Sequence, residues 1–89
     1  MLNSLIVEFV GTFIFLAVIL ATGEPIPIAL ALATVIYLGG SKSGGHFNPA
    51  VSSMFFLKGD LDMMKLVGYI AAQVLGGAAA LTFNNTILV

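Results

Sequence analysis

The sequence contains no cysteine, no arginine and little charge of either sign. Without cysteine there are no disulfides and no thiolate metal sites, while the compartment is left open. Charged residues make up 8% of the chain, against roughly 25% in a soluble domain, so most of the surface cannot be turned to water. The net charge of −1 leaves no basic patch, and nucleic acid is not an expected partner. A length of 89 residues would otherwise suggest one small domain with a modest core. With 60% hydrophobic residues, the expected solvent is the lipid bilayer instead.

The apolar residues come in runs. Leu5–Thr22 is apolar except for Glu8, Gly11 and Thr12. At about 1.5 Å per residue it reaches roughly 27 Å, enough for a hydrocarbon core of about 30 Å. A cleaved signal peptide is not expected there: Met1 to Ser4 holds no Lys or Arg, Glu8 lies inside the run, and two more apolar segments follow. Gly23-Glu24-Pro25-Ile26-Pro27 breaks the helix, because each proline biases its preceding residue away from αR. Ile28–Leu38 resumes the run and approaches spanning length if it extends through Pro27 and Gly40.

Gly39 to Gly45 has loop composition. The apolar stretch Pro49–Leu57 that follows makes a helix of only about 13 Å, which suits a re-entrant half-helix and not a span. Asp60 is a plausible N-cap for a last helix, and Met63–Phe83 is long enough to cross. The expected fold class is an all-α membrane protein, with spans over about 5–22, 27–41 and 62–83 and a re-entrant loop and half-helix over about 43–57. In the last span Gly68, Ala72, Gly76 and Ala80 recur every fourth residue, a stripe that lets another helix approach closely in lipid.

The chemistry centres on Ser43-Gly44-Gly45-His46-Phe47-Asn48-Pro49-Ala50-Val51. Asn48 suits a helix cap and Pro49 the first helical position. Irregular backbone at membrane depth is tolerated only where it lines a cavity or is buried in protein. A half-helix ending mid-bilayer points its positive N-terminus into that cavity. Loop carbonyls and the Asn48 amide would then offer hydrogen-bond partners to a polar solute, while the helix dipole repels cations. Glu8 and Gln73, polar residues inside spans, need partners in any reading. Met54, Met63 and Met64 read as lipid-facing or packing residues. Asn84-Asn85-Thr86 matches the glycosylation pattern by chance at a helix end. No nucleophile–base pair or metal cluster stands out, so neither an enzyme nor a cofactor is expected.

Ser43–Val51 resembles the first Asn-Pro-Ala loop of the aquaporin and glycerol-facilitator family, the major intrinsic proteins. Glu8-Phe9-Val10-Gly11-Thr12-Phe13 is similar to that family's first helix, and Tyr69-Ile70-Ala71-Ala72-Gln73-Val74-Leu75-Gly76 to its third. The resemblance runs in order over residues 4–81. It implies that Asn48 binds the permeant near the midplane, that Pro49 and Ala50 shape the half-helix start, and that Glu8 and Gln73 support the loop. It implies for His46 a narrowing of the cytoplasmic vestibule; a loop histidine bonded to backbone remains the open alternative.

Family members carry two such repeats, inverted relative to each other, and this sequence carries one. The resemblance therefore implies a half-aquaporin whose pore takes two antiparallel chains, with eight chains as the extrapolation to four pores. It implies conduction of water and small neutral solutes such as glycerol. Lys42, Lys58 and Lys65 would lie on one side of the bilayer, a bias that favours a single orientation. The alternative is a non-conducting structural or accessory membrane subunit that pairs with another half-channel. The filter arginine of the family, three positions after the second-loop asparagine, corresponds to Val51 at the same offset from Asn48. By resemblance Ile28 of one chain would face Ile36, Gly45 and Val51 of the other, an apolar mouth that selects less sharply than a cationic one.

Overall fold

The computed structural model describes residues 1–88 and consists of helices joined by short turns. Helix α1 runs Leu2–Thr22, α2 Pro25–Ser43, α3 Pro49–Lys58 and α4 Met63–Thr86. The protein is an all-α integral membrane protein: α1, α2 and α4 are each long and apolar enough to cross a bilayer. Its longest dimension of 41 Å matches a bilayer of about 40–45 Å with its headgroups. Large apolar side chains such as Ile14, Leu30, Leu57, Val67 and Leu75 point outward, while Glu8, Ser52 and Gln73 are buried. The arrangement is the inverse of a soluble protein's, as lipid solvation requires.

Local chemistry sets the helix ends, and in places it differs from the sequence expectation. Gly23 closes α1 in the left-handed conformation at φ 61, its N–H bonding Ile19 O. Pro25 and Pro27 both fit the first turn of α2, where a proline's missing N–H is no loss, so the helix opens two residues earlier than 27. Gly39 to Ser43 is helical and not loop. Glycine is accepted there because packing demands it: a Cβ on Gly39 would stand 2.7 Å from Val7 Cγ1. The cap of α4 is Asp62, whose side chain accepts the Lys65 N–H at 2.8 Å, and not Asp60. Asp60 instead pairs with Lys58 at 2.5 Å on the exposed turn. Helix α4 continues through Asn84 and Asn85 to Thr86.

Helix α1 is the hub, packing on α2 and on α4, while α3 packs on α4. Helices α1 and α4 run parallel, with Leu5 against Gly68 and the Phe13 ring 5.7 Å from that of Phe83. The small-residue stripe of α4 makes this contact: Ala72, Gly76 and Ala80 are buried, and a Cβ on Gly76 would stand 2.7 Å from the Phe9 carbonyl oxygen. Helix α2 runs back antiparallel to α1, and Ser4 Oγ donates to Lys42 O at 3.2 Å. The starts of α1 and α4 and the ends of α2 and α3 therefore share one side. Lys42, Lys58 and Lys65 lie at that side, and Glu24 at the other.

Candidate functional site

The loop between α2 and α3 folds back into the bundle around one carboxylate. Glu8, fully buried on α1, accepts four hydrogen bonds. Its Oε2 takes the Ser43 hydroxyl at 2.7 Å and the His46 N–H at 3.0 Å. Its Oε1 takes the Phe47 N–H at 2.7 Å and the Gln73 amide at 2.9 Å. Four donors match the acceptor capacity of a carboxylate. The peptides are trans, so the carbonyls of Gly45 and His46 point away from Glu8, and neither accepts a backbone hydrogen bond among the described residues.

Phe47 anchors the turn. It is a buried non-glycine residue at φ 54, a left-handed conformation that costs on the order of 1 kcal/mol. Its N–H bond to Glu8 holds it there, together with the seat of its ring against Gly11, where a Cβ would stand 2.1 Å from Phe47 Cε1. Asn48 comes next in extended conformation, and its Oδ1 accepts the Ala50 N–H at 2.8 Å, capping α3. Because Oδ1 faces the helix, the Asn48 NH₂ is free to donate outward, and Asn48, Pro49 and Ala50 are all exposed.

Depth follows from the neighbours. Asn48 and Pro49 line a groove of about 300 Å³ with Thr12, Phe15, Leu16, Phe47, Gln73, Val74 and Gly77. Thr12 is the central residue of α1, about 15 Å from either end at 1.5 Å per residue. The half-helix thus begins level with the middle of α1, and its ten residues carry it about 15 Å back to the lysine side. Among the described residues two buried side-chain atoms have no hydrogen-bond partner, Thr12 Oγ1 and Gln73 Oε1, and both residues line this groove.

The expected site residues fall into three places. Glu8 and Gln73 lie inside the network, and Asn48, Pro49 and Ala50 at its open edge. Gly45 sits against α2, where a Cβ would lie 3.5 Å from Ile36 Cα. Ile28, in the first turn of α2, lies two helical turns from Ile36 toward the opposite side, and Val51 is half-buried in the first turn of α3. One chain brings Ile36 and Gly45 together and leaves Ile28 apart from them.

His46 is buried, with its ring stacked on Phe55 at 4.8 Å and 12° and edge-on to Tyr69 at 5.0 Å. Its Nδ1 lies 2.8 Å from Ser52 Oγ, which also receives the Gln73 amide at 2.9 Å. Tyr69 Oη donates to Ser43 O at 2.5 Å, closing the end of α2 against α4. Ser52 and Tyr69 are thus part of the site, though the sequence reading gave them no role. A serine in an apolar half-helix was the available signal, but the adjacent Ser53 carries the same signal. Among the described residues, no three of His, Asp and Glu gather to hold a metal ion.

A family model for Major intrinsic protein matches residues 25–88. Glycerol uptake facilitator protein-like 6 of Lactiplantibacillus plantarum is 38% identical over 88 residues, covering 89% of this chain and 41% of its own length. Aquaporin Z of Brucella melitensis is 40% identical over 95 residues, covering 90% of this chain and 42% of its own. Human Aquaporin-9 is 38% identical over 84 residues, covering 78% of this chain and 28% of its own. The chain thus spans about two fifths of the length of the first two relatives. No solved structure matches.

Proposed function

Because the chain belongs to the major intrinsic protein family, we propose that it forms half of a passive membrane channel for water and small neutral solutes such as glycerol. The observation that carries this reading is the half-helix starting level with the middle of α1 at an exposed Asn48, beside carbonyls that Glu8 turns outward. A solute hydroxyl meets acceptors at Gly45 O and His46 O and a donor at the Asn48 amide.

The pore is completed by a second half-repeat in antiparallel orientation, and the simplest source is a second copy of this chain. The groove at Asn48 supports this. It exposes the Asn48 amide, which would otherwise face lipid, where an unpaired polar group is costly. In such a pair, Asn48 of each copy meets the other at the midplane, and each mouth takes Ile28 from one copy and Ile36, Gly45 and Val51 from the other. Four such pores would make an assembly of eight chains.

The one-sided placement of Lys42, Lys58 and Lys65 favours a second reading, in which the chain inserts one way and serves as an accessory subunit beside another half-channel. Glycerol-driven swelling of vesicles that hold the purified chain alone separates the two. Faster swelling than in protein-free vesicles supports the homomeric channel, and no difference supports the accessory subunit.

A further inference from the structure

The hydrogen bonds behind the loop link the buried carboxylate to the only histidine in the sequence, with Gln73 donating to both sides. Glu8 has acceptors only, so the Gln73 amide must turn Nε2 toward it; the flipped amide would set Oε1 2.9 Å from a carboxylate oxygen. Nε2 gives its second hydrogen to Ser52 Oγ at 2.9 Å. Ser52 is fully buried, and among the described residues its hydroxyl has no acceptor other than His46 Nδ1, 2.8 Å away. For Ser52 to use its proton, Nδ1 must be bare. A neutral imidazole with a bare Nδ1 carries its proton on Nε2.

We propose that the Glu8–Gln73–Ser52 chain holds His46 as the Nε2–H tautomer, so that the loop carries one fixed N–H donor at its Gly44 end. His46 Nε2 lies beside exposed Gly44, where a Cβ would stand 3.2 Å from it. The residue as a whole keeps 8% of its surface exposed. Stacking on Phe55 and the edge contact with Tyr69 stop the ring from flipping to exchange its nitrogens. Ser52 is the positioning residue: it touches no solute and acts through His46. A fixed donor selects solutes with an oxygen acceptor, a use that rests on the channel reading above, whereas the tautomer itself does not.

The test is ¹⁵N NMR of the chain in lipid vesicles, labelled at histidine, at a pH about two units above the ordinary imidazole value of about 6.5. Since His46 is the only histidine, it gives one pair of ring signals. The expected spectrum has a protonated Nε2 and an unprotonated Nδ1, the latter shifted by an accepted hydrogen bond and free of tautomer averaging. Ser52→Ala should move Nδ1 toward the position of an unbonded nitrogen and allow a tautomer mixture, and Ser52→Thr, which keeps the hydroxyl, should restore the original pair. A proton on Nδ1 in the unaltered chain overturns the proposal even if the alanine variant does not fold. Ring signals unchanged in Ser52→Ala overturn it as well. A chain with the expected spectrum that fails to swell vesicles would instead count against the channel reading alone.

Discussion

Glu8 Oε1 accepts the backbone N–H of Phe47 at 2.7 Å across 39 residues of chain, while the Phe47 ring occupies the space a side chain on Gly11 would need. One turn of α1 thus holds the loop twice, by a charge-assisted hydrogen bond and by a steric seat. The carboxylate sets the direction of the loop peptides, and the seat sets their depth in the bilayer. Together they hold Phe47 at φ 54.

Glu8→Gln tests the first hold. The amide offers one acceptor oxygen and turns an N–H₂ toward groups that are all donors. Leaving buried donors unpaired costs about 1–3 kcal/mol each, so a loss of about 3 kcal/mol or more is expected. The unfolding midpoint in detergent micelles measures it. A variant as stable as the parent would show that the four contacts do not hold the loop.

Gly11→Ala and Gly40→Ala test the second hold as a pair. At Gly11 the new methyl would lie 2.1 Å from Phe47 Cε1, whereas at Gly40 it meets nothing within 4 Å. Overpacking typically costs about 1–3 kcal/mol, so Gly11→Ala should destabilise by at least that much. Gly40→Ala, in a helix interior, should be neutral or stabilising by up to about 1 kcal/mol. Equal effects in the same assay would contradict the packing described.

Part of this site is legible without coordinates. Glu8 stands out because an acid inside an apolar run must have a partner, and Asn48-Pro49 because cap and proline preferences are local. The small-residue stripe of α4 follows from periodicity alone. What pairs with what is not local. Ser52 and Ser53 are equivalent as letters, and only the rotation of α3 against α4 buries Ser52 against Gln73 and His46. Asp60 and Asp62 both precede α4, and the tight turn at Gly59 with the Lys58 contact leaves Asp62 as the cap. Gly39 to Gly45 reads as loop because glycine is a poor helix former, yet α2 continues through Ser43, with Gly39 in close approach to Val7 and Phe47.

Val51→Arg tests the composition of the mouth. Val51 is half-buried in the first turn of α3, at the offset from Asn48 where the resemblance implies a filter arginine. Unmodified chain should pass glycerol as well as water, and Val51→Arg should reduce glycerol flux several-fold. If the unmodified chain passes water and excludes glycerol completely, Ile28, Gly45 and Val51 do not form the mouth.

Orientation is tested with single cysteines at Glu24 and Lys58, exposed residues at opposite sides of the bundle. In an antiparallel pair each position should react with a membrane-impermeant thiol reagent from both faces of a sealed vesicle. Reaction of each from one face only would leave a one-way subunit, as the lysine bias favours.

The central claim is that two Asn48 half-helices meet at the midplane and pass neutral solutes while stopping cations. Each helix N-terminus is worth roughly half a positive charge, and between apolar walls that field is weakly screened. A cation there would lose hydration and meet repulsion together, whereas a hydroxyl could still bond the Asn48 amide. Asn48→Asp puts carboxylates at the converging positive ends and should admit sodium or protons more readily, with glycerol swelling as the control for an intact pore. The most direct measurement is sodium flux beside glycerol swelling in vesicles holding the unmodified chain alone. The predicted result is swelling well above that of protein-free vesicles with no sodium flux above theirs. Absent swelling, or sodium leakage that accompanies it, would contradict the account.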